Sequence, residues 1–268
     1  MIQNIGNLDS QSAYMLRTLS AEKGNVFTTK DAFRLLKLSH QGVYDRLSDL
    51  VQRRWIVRLK NGTYFICPLE TGDTGNITEH EFVIASKLIT PYAIGFWSAL
   101  NHQGLTEQIP DRIYILGTHR TSKPVRTLGT ATYQIVLVPK CRFFGQQEIW
   151  LGSQKVVITD LEKTIVDSVS HPEYCGGMIE VVKSFKAAKN RLDFAKLTQY
   201  AKRMQKGVIF KRMGILLDHL EPNNEHLKLW EKNVSEGISL FDPQGNSKGP
   251  MSSRWNIQLN FNLREFSE

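Results

Sequence analysis

Few side chains in this sequence stand at spacings that concentrate reactive chemistry. Its histidines, at positions 40, 80, 102, 119, 171, 219 and 226, include no pair at His-Glu-x-x-His or a similar zinc-binding spacing. Cys67, Cys141 and Cys175 are far apart and odd in number, so neither a zinc site nor a disulfide framework is expected. Cys175 has no neighbouring base to activate it. Asp160, Glu162 and Asp167 offer the best acid–base or metal candidates, and Asp160, Lys163 and Asp167 share one helical face by spacing. Carboxylates at a helix start are also what the helix dipole favours, with Glu162 as half of a cap and Lys163 in a surface ion pair. The expectation is therefore no catalytic residue, no metal and no cofactor. The alternative is an enzyme acting on nucleic acid, in which Asp160, Asp167 and His171 would have to converge in one pocket.

Recognition chemistry is better represented. Thr28, Thr29, Ser39, His40, Gln41, Tyr44, Arg46 and Ser48 are followed by Arg53, Arg54, Arg58, Lys60 and Asn61. Glutamine can make a bidentate contact to adenine, and serine can donate or accept at a base edge. Arginine and lysine suit phosphates, which position a protein on a duplex without reading sequence.

The elements around these residues can present them. Thr28 with Asp31 three residues on approaches a capping box and starts a helix whose apolar face is Ala32, Leu35 and Leu36. Lys37 and Leu38 make a turn, and Ser39 is an N-cap for a second helix. That helix sets Val43, Leu47, Leu50 and Val51 on one side and His40, Gln41, Tyr44, Asp45 and Ser48 on the other. Two strand-like runs, from Trp55 and from Thr63, flank Asn61-Gly62, which favours a type I′ hairpin. Helix, turn, helix and hairpin in that order read as a winged helix-turn-helix whose second helix meets duplex DNA.

Composition agrees with an anionic partner. The chain has 268 residues and a net charge of +8, with a pI near 9.3, as nucleic-acid-binding proteins often do. Residues 1–70 carry ten Lys/Arg against six Asp/Glu, and residues 141–220 carry thirteen against eight. The second excess is not explained by the hairpin region. Scattered cysteines fit a reducing cytoplasm. No apolar run approaches the ~20 residues of a membrane span, and the first residues do not read as a signal peptide.

The turn-rich stretch from Pro68 to Ile77 reads as a linker, placing a boundary between a domain at 1–71 and another at 72–268. An opening helix at 10–22 completes the first domain. In the second, helices are expected at 78–90 and 94–103. Strands follow at 113–116, 133–138, 143–151 and 155–158, and a capping box at Thr159-Asp-Leu-Glu162 starts a run of helices. The exposed faces of those helices are expected to hold Lys183, Lys186, Lys189, Lys196, Lys202, Arg203, Lys206, Lys211 and Arg212. Short strands are expected near 238–241 and 254–260. The fold class is α+β: a winged helix-turn-helix, then a mixed domain with a small, largely antiparallel sheet and a helical bundle.

Four blocks resemble the AbiEi-type antitoxins of type IV toxin–antitoxin systems. They are Phe96-Trp-Ser-Ala-Leu-Asn-His-Gln-Gly-Leu-Thr-Glu-Gln-Ile-Pro, Ile158-Thr-Asp-Leu-Glu-Lys-Thr-Ile-Val-Asp, His171-Pro-Glu-Tyr-Cys-Gly-Gly and Ser253-Arg-Trp-Asn-Ile-Gln-Leu-Asn. The resemblance implies an antitoxin of an abortive-infection, phage-defence system that represses its own operon at promoter inverted repeats. It implies a second domain that counters a nucleotidyltransferase toxin, without direct contact being required. The further alternatives are that the enzyme considered above, in the second domain, acts on the toxin itself, or that the chain is a direct toxin-binding adaptor.

Overall fold

The computed structural model describes residues 8–67, 77 and 79–263. Most of the expected linker, 68–76 and 78, lies outside them. The chain forms two compact units, one of residues 1–89 with 125–132, the other of residues 90–124 with 133–268. The first unit thus extends past the expected boundary near 72, because the helix at 81–88 lies against the hairpin strand at 56–60.

The first unit opens with α1 (Ser10–Lys23), capped by Asp9. Asp9 accepts from the backbone N–H groups of Gln11 and Ser12. Next come β1 (Val26–Thr28), α2 (Thr29–Leu35), α3 (His40–Gln52), β2 (Ile56–Lys60), β3 (Thr63–Ile66) and α4 (Glu81–Leu88). The strands form an antiparallel sheet in the order β1-β3-β2. Strand β1 is three residues long, too short for a period-2 signal, and pairs with β3 from Val26↔Phe65 to Thr28↔Thr63. Met15, Leu19, Phe27, Ala32, Val43, Leu47, Leu50 and Ile56 make the core.

The second unit holds β4 (Tyr92–Ile94), α5 (Phe96–His102), β5 (Ile113–Gly117), β7 (Ala131–Leu137, from residue 133), β8 (Gln146–Leu151), β9 (Gln154–Thr159), α6 (Leu161–Ser170), α7 (Met178–Ala188), α8 (Phe194–Met204), α9 (Gly207–Leu220), α10 (His226–Glu231) and the short strands β10 (Ser239–Leu240), β11 (Met251–Ser252) and β12 (Ile257–Gln258). Strand β6 (Val125–Leu128) belongs to the first unit. Within the second unit the main sheet runs β7-β5-β4-β9-β8. It is mixed, not largely antiparallel: β5–β7 and β4–β9 are parallel, β4–β5 and β8–β9 antiparallel. One part of the departure arises from β4, a three-residue strand that enters the middle of the sheet between β5 and β9; the other is β7, which pairs parallel to β5.

Helix α6 is central. Every residue from Glu162 to Ser170 is buried, and α5, α7, α8 and α9 all pack on it. Three of the four sequence blocks meet around it, and the fourth packs on α9. Gln103 Nε2 donates to the Thr159 carbonyl at 2.8 Å and to Thr164 Oγ1 at 3.1 Å. Gly176, at φ 77°, lets the Trp97 ring approach so closely that a Cβ there would lie 2.8 Å from it. Trp255 is fully buried against Gly214. These blocks build the interior of the unit.

Two expectations about α6 are corrected. Its N-cap is Asp160, which accepts from the Lys163 N–H at 2.9 Å; Thr159 ends β9 instead. Glu162 is buried and accepts from the Asp193 N–H at 3.1 Å, while Lys196 bridges Glu162 and Asp160 at 2.8 and 3.1 Å. The Lys163–Asp167 pair lies in the interior, with side chains 1% and 3% exposed, and is no surface pair. Burial raises the Asp167 pKa while Lys163 pulls against it.

Removing one member of such a pair strands a charge, which costs about 3–5 kcal/mol, whereas replacing both by apolar residues costs far less. Urea unfolding is expected to show Asp167→Ala strongly destabilising the second unit. The double variant Lys163→Met, Asp167→Leu should be much closer to the parent chain. Equal losses in the two proteins would contradict this account of α6.

Candidate nucleic-acid interface

The α2–α3 segment is built by local hydrogen bonds. Thr28 and Asp31 form a complete capping box: the Asp31 carboxylate accepts from the Thr28 N–H at 2.8 Å, and the Thr28 hydroxyl faces the Asp31 N–H at 3.4 Å. Ser39 caps α3 by accepting from the Gly42 N–H at 3.2 Å. Val43, Leu47 and Leu50 turn one side of α3 into the core. The opposite side leaves His40, Gln41, Tyr44 and Ser48 exposed.

This polar surface has support beneath it. The half-buried Phe33 of α2 lies 4.4 Å from the His40 ring and 5.8 Å, edge-on, from the Tyr44 ring. Tyr44 remains 51% exposed, so its hydroxyl is available to a partner. Gln41 donates to Asp45 at 2.8 Å, one helical turn on, which fixes its amide and leaves the carbonyl and a second N–H for a partner.

The hairpin carries the next group. Arg58 donates to Asn61 Oδ1 at 2.8 Å across the turn, and both are exposed. Arg54 is exposed and turns the chain between α3 and β2 with a φ of 60°. The turn is not type I′. Gly62 has a φ of 69° but Asn61 has no positive φ, and the register shifts between Arg58 and Lys60. An Asn-Gly pair also fits a longer hairpin connection with glycine in the left-handed position and a bulge beside it. The Thr29 N–H donates to the Gly62 carbonyl at 2.9 Å, so the hairpin tip is tied to the start of α2.

Several expected contact residues are engaged elsewhere or partly covered. Thr29 is buried, with its hydroxyl enclosed. The Thr28 hydroxyl is committed to Asp31. Arg46 points to α1, reaching Asp9 at 2.5 Å and Ser12 Oγ at 2.9 Å. Arg53 pairs with Asp49 at 3.2 Å. Lys60 is half-buried, and burial, together with the nearby Arg126 charge, lowers its pKa. Arg126 donates to the Leu59 carbonyl at 3.0 Å. It adds a cation to the hairpin that sequence reasoning missed, since no local pattern links two residues so far apart in the chain.

The carboxylates proposed for the enzyme alternative do not gather at an open site. Asp160 caps α6 and also accepts from the Tyr200 hydroxyl at 3.0 Å. Asp167 is buried beside Lys163. His171 bonds Glu173 at 2.8 Å and Lys206 at 2.5 Å. Among the described residues, no three His, Cys, Asp or Glu side chains are grouped as metal ligands would be. Nor is any helix among them long and apolar enough to cross a membrane.

No family model matches the chain, and no curated protein matches it. Among solved structures it is similar to the crystal structure of RV2827C protein from Mycobacterium tuberculosis, with a TM-score of 0.67 at 14% identity over 94% of this chain and 92% of that one. At that identity the likeness shows a shared fold.

Asp9 and Arg46 give a test of the structural role assigned to them. Burial acts to raise the Asp9 carboxyl, but hydrogen bonds from Ser12 and Arg46 prevail and lower it from 3.8 to about 2. A depressed carboxyl contributes stability above its unfolded value, and that stability is lost as pH falls through its folded value. Asp9→Asn should therefore flatten the acid side of the stability curve between about pH 4 and 2, the range between those two values. Arg46→Ala should lower thermal stability slightly, by ~1 kcal/mol or less for so exposed a pair. Thermal melts across that pH range check both; an unchanged acid slope in Asp9→Asn would remove the cap from the account.

Proposed function

We propose that the first unit is a winged helix-turn-helix that binds duplex DNA, with α3 as the recognition helix and the β2–β3 hairpin as the wing. On this reading the chain is a cytoplasmic transcriptional repressor and an antitoxin of the AbiEi type, not an enzyme. It would repress its own operon at promoter inverted repeats and counter a nucleotidyltransferase toxin.

The observation that carries the reading is the outer face of α3. His40, Gln41, Tyr44 and Ser48 stand exposed on a helix whose other side is apolar and buried. A surface helix needs polar residues there, but not ones propped by a neighbouring ring and fixed by a side-chain hydrogen bond, as His40, Tyr44 and Gln41 are. Such preorganisation lowers the entropic cost of binding. Arg58, Lys60 and Asn61 on the hairpin supply groups for phosphates. The antitoxin part rests on the four sequence blocks. The burial of Asp167 and the capping role of Asp160 favour binding over catalysis.

Gel shifts on the chain's own promoter give the test. Gln41→Ala and Tyr44→Ala should each weaken operator binding by ~1–3 kcal/mol and relax discrimination against unrelated sequence. Arg58→Ala and Lys60→Ala should weaken binding to all duplexes alike. Operator affinity unchanged in all four variants would sink the proposal for the first unit. Co-expression with a nucleotidyltransferase encoded beside it tests the antitoxin role; toxicity that persists despite full-length protein would refute that role alone.

A further inference from the structure

Of the cations expected on the later helices, Lys183, Lys189 and Lys196 pair with carboxylates, and two further groups stand apart from these. Lys211 and Arg212 are buried, which corrects the reading that set them on an exposed face. Lys211 Nζ donates to the Gly237 carbonyl at 2.5 Å, and Arg212 Nη1 to the Val169 carbonyl at 2.7 Å. Burial lowers the Arg212 pKa to about 10. These two bind backbone carbonyls and have no surface role.

The other group lies where α8 ends and α9 begins. Lys202 and Arg203 occupy the last turn of α8, and Lys206 is the N-cap of α9. Lys140 and Arg142 come from the 3-10 turn at 140–142, which packs on α8. Among the described residues, none of these five side chains is ion-paired to a carboxylate. Lys140, Lys202 and Arg203 are exposed.

Three of the five are held in place. Arg142 Nε donates to the Met204 carbonyl at 2.8 Å. The Arg203 guanidinium lies 4.0 Å from the centre of the Phe144 ring. Lys206 Nζ reaches Ser170 Oγ at 3.1 Å and His171 Nε2 at 2.5 Å. Because an ammonium only donates, the His171 nitrogen facing it must accept.

The helix dipole accounts for part of this arrangement. Cations at the C-terminal end of α8 are favoured. Lys206 is not, since it caps the positive end of α9. Burial lowers its pKa, and the neighbouring Arg142 charge lowers it further, while Glu173 and Asp167 pull weakly the other way. Like charges brought together with no carboxylate ion-paired to them cost stability that a bound polyanion would return.

We propose that the Lys140, Arg142, Lys202, Arg203 and Lys206 cluster is a second nucleic-acid contact, taking the phosphodiester backbone without reading bases. It goes beyond the α3 reading and does not depend on it. The ligand is a backbone rather than stacked bases, because the Phe144 ring beneath Arg203 is buried and offers no open face for stacking.

The experiment uses the full chain and fluorescence anisotropy over a series of salt concentrations. The probes are a short duplex DNA of random sequence and a structured RNA of equal charge. The variants are Lys140→Gln with Lys202→Gln, and Lys140→Glu with Lys202→Glu, both at exposed positions, with folding checked by circular dichroism. The logarithmic salt slope should fall by about 1 for each phosphate contact removed, so by about 2 in the neutral double variant. Affinity should fall further in the charge-reversed one. Loss on either probe supports the proposal and identifies the nucleic acid. An unchanged slope on both probes overturns it, as does polyglutamate of equal charge displacing the probes as well as unlabelled nucleic acid does. Gln41→Ala and Tyr44→Ala alter discrimination between operator and random sequence and leave the random-duplex slope in place, so failure of either reading shows separately.

Discussion

A charged pair sealed inside a helix governs the second unit. Lys163 and Asp167 sit one turn apart on α6 with almost no solvent exposure. Two ions removed from water need each other, and their separation is set by the helix itself. Four helices pack around α6, and their packing keeps water from the pair. The centre of the Phe144 ring lies 5.0 Å from the Lys163 ammonium and 4.0 Å from the Arg203 guanidinium. The interior charge and a surface cation thus share one ring. What happens at the surface of α8 is tied to how the core is closed.

How much was legible depended on whether the deciding interaction was local. The Thr28–Asp31 box, the Ser39 cap and the division of α3 into polar and apolar sides all involve residues within a few positions of each other. Sequence alone carries such information, and the element order from α1 to β3 could be read from it, apart from β1. The glycine in Asn61-Gly62 marked the turn, but its type was set by a bulge that depends on pairing across strands. The site was less legible than the fold. Arg46 looked like a contact residue because charge on a surface helix does, yet its partners Asp9 and Ser12 lie on a different helix.

The same limit explains the errors in the second unit. A capping box and a cap one residue later are nearly indistinguishable in a Thr-Asp-Leu-Glu stretch; the choice of Asp160 follows from Thr159 being held in β9. Glu162 was drawn inward by Asp193 and Lys196, both remote in sequence. Lys211 and Arg212 have helix-surface spacing, but α9 is buried nearly all round, and β10 supplies an acceptor to Arg212 and a serine hydroxyl to Lys211. One of the two parallel pairings in the main sheet turns on three residues, Tyr92–Ile94, too few to carry a pattern.

The bond from the Thr29 N–H to the Gly62 carbonyl has a mechanical meaning. It fastens the tip of the hairpin to the base of α2, and α2 carries the ring on which His40 and Tyr44 rest. Ribbon and helix are therefore parts of one stiff body. A flexible arm could follow whatever groove it met; this one has a set span. On the proposed reading, any adjustment in width or curvature falls to the duplex, so sequences that bend or narrow at low cost would be preferred even at base pairs the protein never touches.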